Sequence, residues 1–286
     1  MSAANSGGSR QVLRVTRGMP TEDGAGVKLT RLVGSPEVPD IDPILMLDAF
    51  RSDDPKSYIA GFPPHPHRGF ETVSYMIAGS LRHKDNKGGE GLITDGGVQW
   101  MTAGRGVVHS EMPAQTNGTM FGFQLWLNLP ATEKMRAPWY RDIAASEVPT
   151  VELSPGAKMK LIAGAWGTTK GPGPDRPTQP FIADIDLEIG TMAAIPIPQG
   201  HSAFAYVFEG KAKLGPNGQP RELVRGDLGV LSDGGDLAAV TATDGARILI
   251  VAAKPLREPI AKYGPFVMNT QDELRQAFSD YQRGVF

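Results

Sequence analysis

Cysteine is absent from this chain of 286 residues, and its absence excludes several kinds of chemistry together. Without a thiol there is no disulfide framework, no nucleophilic thiolate, and no zinc or iron–sulfur site held by cysteine. A chain without disulfides suits a reducing compartment, so we expect a cytoplasmic protein.

The chain also lacks an excess of positive or negative charge. The 29 lysine and arginine residues nearly balance the 31 aspartate and glutamate residues, which gives a net charge of −2. Such a chain has no electrostatic footprint for a polyanion, so direct binding to nucleic acid is not expected.

Long apolar runs are also lacking. No stretch approaches the ~18 consecutive apolar residues that a membrane-spanning helix needs, so no membrane partner is expected. Residues 1–10 are rich in small and polar side chains and lack the apolar segment of a secretory signal. We expect them to form a disordered leader.

Glycine and proline are abundant by contrast, with 35 and 24 residues that make up about a fifth of the chain. They follow no collagen-like period and separate short apolar runs, as in proteins built from many short strands and turns. An all-β sandwich or barrel is therefore predicted. The clearest strands are predicted at residues 12–16, 72–77, 121–129, 205–208 and 248–252.

Residues 121–129 show the strand period of two most clearly. Phe123 and Leu125 fall on one face, which is predicted to contact a core. Gln124 and Trp126 fall on the other face, which we expect to look into a more polar space.

A helical pattern occurs only near the C-terminus. Thr270 and Glu273 have the spacing of a capping box, and Gly284 supplies a stop signal. A narrow apolar stripe lies between them, so we predict one short helix that packs against a barrel. The stripe consists of Leu274, Ala277, Phe278 and Tyr281.

A faint internal repeat indicates two related barrels. A strand ending in glycine, a turn and a glycine-containing strand occur in residues 74–100 and again in residues 205–230. The barrels are predicted at residues 11–143 and 144–286, the second ending in the helix.

Two short clusters contain three of the five histidines. His65 and His67 are two residues apart, as are His109 and Glu111, so each pair points to one side of an extended chain. Glu71, four residues after His67, has the same parity. If these segments are neighbouring strands, three imidazoles and one or two carboxylates meet inside a barrel. This donor set favours iron, nickel, copper, manganese or zinc over calcium.

The other two histidines, His83 and His201, stand alone in the sequence. A single histidine usually makes ordinary hydrogen bonds, and we expect that role for both.

The segments around the paired histidines resemble pirin, a family of bicupin proteins. The resemblance covers most of the chain, and its motifs are long and specific. It is carried by residues 65–73, 99–113, 124–130 and 263–270.

This resemblance implies two tandem cupin barrels with one metal in the first barrel. His65, His67, His109 and Glu111 match the family's metal ligands. The metal is usually iron(II), with nickel, manganese, cobalt, copper and zinc as alternatives.

The choice of carboxylate leaves one question open. Many other cupins use the glutamate four residues after the paired histidines, which is Glu71 here. The resemblance favours Glu111 as the ligand. Glu71 is then either an outer group that orients a ligand imidazole or an ordinary hydrogen-bonded strand residue.

The repeat also indicates what the second barrel has lost. Aligning the barrels places Pro196, Pro198, Ala238 and Val240 at or near the positions of the four ligands. We therefore expect a second barrel without metal, with a structural role or a surface for a protein partner.

Several residues next to the ligand pairs could line the mouth of the site. For each of them, core packing or a surface ion pair is an equal alternative. They are Arg68, Trp100, Met101, Arg105, Gln124 and Trp126.

Two functions are compatible with the resemblance. Bacterial pirins are associated with flavonol dioxygenase activity, in which quercetin and dioxygen react, the ring opens and carbon monoxide leaves. Glu111 would act there as both ligand and base. The alternative is an iron-dependent redox regulator that binds a transcription factor or metabolic enzyme. A metal-free isomerase is disfavoured because three converging imidazoles without a metal would serve little purpose.

Overall fold

The computed structural model describes residues 9–216, 218–234 and 237–286. These residues form many short strands and one α-helix, which confirms the predicted all-β class with a C-terminal helix. They divide into two compact units. The first unit contains Met19–Glu147 and Leu256–Phe286, and the second contains residues 9–18 and Val148–Pro255.

The strands follow one another in chain order, with three short 3-10 turns at Pro55–Ser57, Ala131–Glu133 and Ala145–Glu147. The first half comprises β1 Val12–Arg17, β2 Met19–Asp23, β3 Val27–Val33, β4 Ile44–Ser52, β5 Phe62–His67, β6 Phe70–Ala78, β7 Leu81–Asp85, β8 Glu90–Ile93, β9 Val98–Thr102, β10 Val107–Pro113, β11 Met120–Asn128 and β12 Trp139–Ile143. The second half comprises β13 Thr150–Ser154, β14 Ala157–Ala163, β15 Ala165–Trp166, β16 Thr169–Lys170, β17 Phe181–Leu187, β18 Met192–Pro196, β19 Ser202–Leu214, β20 Arg221–Val224, β21 Asp227–Leu231, β22 Leu237–Ala253, β23 Ala261–Tyr263, β24 Phe266–Met268 and helix α1 Gln271–Gln282.

Two antiparallel sheets build the first unit. The larger has the order β12-β9-β6-β11-β4-β3-β2, and the smaller has the order β5-β10-β7-β8. Strand β11 lies between β6 and β4, and its Phe123 and Leu125 are buried as predicted. The opposite face of this strand, with Gln124 and Trp126, lines a cavity. The predicted difference between the two faces is therefore confirmed.

The second unit has its own sheet, in which β1-β21-β19-β22-β17-β14-β13 lie side by side. Strand β18 pairs with β22, and β20 pairs with β19. Its core consists of aliphatic residues, methionine and phenylalanine, which are buried together. Central members of this core include Ile185, Ile195, Val207, Val240 and Ile250.

The two units divide differently from the predicted barrels. The division between them falls after Glu147 rather than after residue 143. The predicted first barrel includes residues 11–18, but β1 pairs with β21 in the second unit. The predicted second barrel includes the helix, but α1 packs on β23 and β24 in the first unit. The pairing of β1 with β21 and the apolar contacts of α1 with β24 decide these positions. Neither can be seen in the internal repeat of the sequence.

The predicted disordered leader covers residues 1–10, of which only residues 9 and 10 are described. Residues 1–8 lie outside the described residues, but Arg10 is fully buried. Its guanidinium donates hydrogen bonds to the carbonyl oxygens of Pro198, His201 and Ser232. A buried guanidinium needs such acceptors, so Arg10 belongs to the second unit rather than to a leader.

Helix α1 begins as predicted from the sequence. Thr270 is the N-cap, and the capping box with Glu273 is complete. Leu274 and Ala277 are buried against Phe266 of β24. In the described part of the chain, no helix is long and apolar enough to cross a membrane.

A buried lysine fixes the turn that follows β5. Lys134 is 1% exposed, and its ammonium donates to the carbonyl oxygens of Gly69 and Val267 and to Oδ1 of Asn128, at 2.6–3.0 Å. Three donors thus meet three acceptors. The ammonium joins the turn after His67 to β24.

We predict that Lys134→Met lowers the free energy of unfolding by about 2–4 kcal/mol, because it leaves three buried acceptors without a donor. Urea unfolding of the full chain measures the change. Lys84→Met is the matched control, because Lys84 pairs with Glu90 at the surface of the same unit. Equal midpoints for the two variants would contradict this role of Lys134.

Candidate metal centre

The central strand of the smaller sheet brings the paired histidines together. Strand β10 lies between β5 and β7, and His109 pairs directly with His65 of β5. The imidazole centroids of His65 and His109 are 4.5 Å apart, and that of His67 lies 4.7 Å and 5.0 Å from them. In the described residues, these three side chains form a group whose donor atoms all lie within 4.8 Å of one another.

Burial disfavours the charged form of two of the imidazoles, those of His67 and His109. Burial lowers the pKa of His67 well below its usual value, and the charge of His65 acts in the same direction. Burial also lowers the pKa of His109, and His67 and His65 add to the effect. Neutral imidazole is the form that binds a metal.

Several ring nitrogens have no protein partner. Nδ1 of His67 and both ring nitrogens of His109 are buried without a hydrogen-bond partner among the described residues. Nδ1 of His65 lies 2.8 Å from the Pro63 carbonyl oxygen and donates to it, which leaves Nε2 as a lone-pair donor. Converging lone pairs of this kind fit a borderline divalent metal.

Glu111 follows His109 on β10 and is 3% exposed, but its carboxylate oxygens are not part of the group of donor atoms that lie within 4.8 Å of one another. Its Oε2 accepts a hydrogen bond from Nε2 of Gln124 at 2.8 Å. The Ser74 hydroxyl lies 3.0 Å from Oε1 of Glu111 and 2.5 Å from Oε1 of Gln124. Its single proton is shared between these two acceptors. These contacts hold the carboxylate at a fixed position in the wall of the cavity.

The cavity next to the histidines has a volume of about 730 Å³. That volume lies within the usual range of small-molecule sites, about 300–1,000 Å³. His65, His67 and Glu111 lie in its wall, and apolar side chains form much of the remainder. The apolar part includes Leu29, Met46, Phe50, Phe62, Leu81 and Trp126.

Known protein families match both parts of the chain. Residues 26–127 match the pirin family, and residues 182–286 match the pirin C-terminal cupin domain. The chain belongs to the pirin family. The predicted membership and the predicted pair of cupin domains are thereby confirmed.

Two bacterial proteins resemble the chain over nearly its full length. A pirin-like protein of Caulobacter vibrioides is 47% identical over 97% of this chain and 99% of its own. A Pseudomonas aeruginosa protein, provisionally named a quercetin 2,3-dioxygenase, is 48% identical over 96% of this chain and 98% of its own.

Solved structures share the pirin fold. A quercetin 2,3-dioxygenase from Acinetobacter baumannii has a TM-score of 0.90 and 32% identity, covering 97% of this chain and 98% of its own. A bacterial pirin from Escherichia coli, solved in complex with nickel(II), has a TM-score of 0.66 over 85% of this chain and 99% of its own. At 15% identity, the latter likeness shows the fold alone.

In this pirin, Glu71 lies on the other face of β6 from Ser74. It pairs with Leu127 and Thr102, and its Oε1 accepts a 2.5 Å hydrogen bond from the Thr102 hydroxyl. The expected parity with His67 is lost because Gly69, in a left-handed conformation with φ of 90°, separates β5 from β6. Glu71 therefore faces away from Ser74 and the cavity.

His83 lies closer to the site than its isolated position in the sequence suggested. It pairs across the ladder with Glu111, so both side chains are on one face of the smaller sheet. Its Nε2 lies 3.1 Å from both carboxylate oxygens of Asp142, which also accepts from Gln99. The predicted hydrogen-bonding role is correct, but only the strand register places His83 beside Glu111.

The remaining flanking residues fall into three groups. Gln124 and Trp126 line the cavity, whereas Trp100 and Met101 are fully buried in the core. Arg68 forms an ion pair with Asp280 of α1 at 2.7 Å and donates to the carbonyl oxygen of Arg105. His201 lies in the second unit, where its Nε2 bonds with the Gln179 carbonyl oxygen.

We predict about one transition metal per chain, held by the three histidines. Loss of a residue that only hydrogen-bonds to a metal ligand typically weakens metal binding by about 10–100-fold. His67→Ala and His109→Ala remove ligands themselves, so they should weaken metal binding by more than this. Elemental analysis after dialysis against a weak chelator measures this. His201→Ala is the control and should keep the metal; two tightly bound metals per wild-type chain would contradict the single site.

Proposed function

We propose that this pirin is a metal-dependent dioxygenase that opens the central ring of a flavonol such as quercetin. The observation that carries the proposal is that one cavity, large enough for an aromatic substrate, has in its wall both Glu111, whose carboxylate is held by Gln124, and two members of the group of three histidines. The names of the similar Pseudomonas and Acinetobacter proteins support the same substrate class.

The ligands that we propose are His65, His67, His109 and Glu111. The unpartnered nitrogens of the buried imidazoles supply neutral donors, and the carboxylate supplies one negative charge. Iron(II) is the metal that we propose first, because a mixed nitrogen and oxygen set suits it. When bound, such a metal supplies Lewis acidity for the substrate oxygens and a site for dioxygen.

Glu111 is also the base that we propose. Gln124 and Ser74 hold its oxygens in place, so the carboxylate need not reorganise when the substrate arrives. It takes the proton of the 3-hydroxyl group, which leaves an electron-rich ring. Addition of both oxygen atoms of dioxygen, cleavage of two ring carbon–carbon bonds and release of carbon monoxide then give an ester of two hydroxylated aromatic acids. No further oxidant or reductant is required.

The apolar wall provides the binding surface for the rings. Trp126 packs on Phe70 with centroids 4.3 Å apart and contacts His67 edge to face at 5.2 Å. A flat aromatic substrate that stacks on this wall excludes water from the carboxylate and the imidazoles. The protein thereby contributes orientation and a dry environment, while the cofactor supplies the reactivity toward dioxygen.

We predict that Glu111→Gln, loaded with metal to the wild-type level, lowers flavonol turnover by roughly a hundredfold or more, because the amide is not a base. The loss of quercetin absorbance under air, normalised to metal content, measures this. The variant keeps the shape of the side chain, so the barrel should remain folded.

Glu71→Gln is the matched control, because this buried glutamate faces away from the cavity. It should keep most of the turnover. An inactive, metal-replete Glu71→Gln beside a fully active Glu111→Gln would reverse the two roles. Metal-loaded wild-type protein that leaves quercetin unchanged would contradict the dioxygenase and favour the iron-dependent regulator.

A further inference from the structure

We propose that Arg31, held rigidly by Asp48, is a specificity-determining residue that recognises a phenolic hydroxyl group at the part of the cavity wall two strands away from Gln124. This inference rests on the proposed function for its substrate class. It adds a second recognition point to the metal and explains why the substrate should carry a hydroxyl group on a ring remote from the reacting carbons.

The position of Arg31 follows from the register of the larger sheet. Arg31 of β3 pairs with Asp48 of β4, Asp48 pairs with Gln124 of β11, and Gln124 pairs with Ser74 of β6. Directly paired residues point to the same face, so these four side chains form one polar row. All four lie in the wall of the cavity, which has apolar side chains around them.

One end of this row contacts the proposed base, and the other end is Arg31. Gln124 and Ser74 bond with Glu111, whereas Arg31 is two strands away from Gln124. Neighbouring strands are about 4.8 Å apart, so the backbones of Gln124 and Arg31 are separated by about 10 Å. A molecule of the length of a flavonol can therefore contact both ends of the row.

The guanidinium of Arg31 is held in place by carboxylates, but not all of its N–H donors have a protein acceptor. Its Nε and Nη2 donate to the two carboxylate oxygens of Asp48 at 2.9 and 2.7 Å, and Nη2 also reaches Asp23 at 3.1 Å. Nη1 makes no hydrogen bond with any described residue. Its two N–H groups are donors without a protein acceptor, on a side chain that lines the cavity.

A second donor lies near Arg31. Lys262 also lines the cavity, and its ammonium makes no hydrogen bond or ion pair with any described residue. Burial lowers its pKa, Asp40 opposes this, and the nearby charge of Arg31 lowers it further. Both cationic side chains therefore contribute to the same part of the wall.

The charges around Arg31 favour a hydroxyl group over an anion. Two cations, Arg31 and Lys262, are balanced in the wall by two carboxylates, Asp23 and Asp48. A local surface without net charge offers little attraction to a carboxylate or phosphate group. It offers donors and acceptors side by side, and a phenolic hydroxyl group both donates and accepts. A site built to bond a hydroxyl group rejects the analogue that lacks it.

The test compares matched ligands by calorimetry, with the metal-loaded full-length protein under argon so that no turnover occurs. The ligands are 3-hydroxyflavone, 3,7-dihydroxyflavone and 3,4′-dihydroxyflavone, which share the metal-binding oxygens and differ in the remote hydroxyl group. We expect wild type to bind at least one dihydroxyflavone about tenfold more tightly than 3-hydroxyflavone, as for a hydrogen bond to a charged group.

Two variants remove the recognition in different ways. Arg31→Met with Asp48→Asn removes both members of the ion pair, so no buried charge is left alone. Arg31→Lys keeps a cation for Asp48 but lacks the planar fork, and it serves if the double variant does not fold. In each variant, the preference for the dihydroxyflavone over 3-hydroxyflavone should fall below about twofold. The affinity for 3-hydroxyflavone should stay within about threefold of the wild-type value. Arg82→Met, which alters a surface pair with Glu90, should keep the preference.

The outcomes separate this inference from the proposed function. A preference that survives in the Arg31 variants, or is absent from wild type, overturns the inference even if quercetin is turned over. A preference that depends on Arg31, without turnover under air, keeps the inference and contradicts the dioxygenase. Failure of every flavonol to bind overturns both.

Discussion

The pairing of β10 with β5 on one side and β7 on the other is the constraint on which the site depends. It places His109 opposite His65 and Glu111 opposite His83. A shift of one residue would turn His109 and Glu111 to the other face of the sheet and separate the imidazoles. The register against β5 changes between His109 and Glu111, so the carboxylate is offset from the histidine ladder while remaining on the same strand.

Residues far along the chain support this pairing. Arg68 follows His67 directly, and its ion pair with Asp280 and its contact with the Phe286 ring join β5 to the C-terminal segment. Gly106, just before β10, leaves room for the same ring, because a Cβ there would lie 2.8 Å from Phe286. The C-terminal segment thus contacts the ends of both histidine-bearing strands. Both ring nitrogens of His109 lack a hydrogen-bond partner among the described residues, so the position of this imidazole is sustained by packing rather than by hydrogen bonds to the ring.

The sequence was sufficient to predict what depends on local periodicity. The spacing of His65 with His67 and of the β11 residues with one another predicts their faces, because two residues return a strand to the same side. The same spacing argument failed for Glu71, because Gly69 interrupts the strand alternation between His67 and Glu71. It could not place His83 or the terminal segments, because pairing between strands that are distant in sequence has no local signal. Arg31 was not predicted at all, since only the register brings it into line with Gln124.

Gln124 connects the two halves of the site physically. Its amide donates to Glu111, and its backbone pairs with Asp48, the residue that fixes Arg31. Because Gln124, Asp48 and Arg31 lie on hydrogen-bonded strands rather than loops, the larger sheet sets the separation between the guanidinium and the amide that bonds with Glu111, and this separation cannot adjust freely to a ligand. In the proposed reaction, a substrate that is too short to span β4 loses one contact or the other. The ladder that positions Gln124 against the carboxylate would therefore also select for substrate length, whereas the smaller sheet holds the histidines and Glu111.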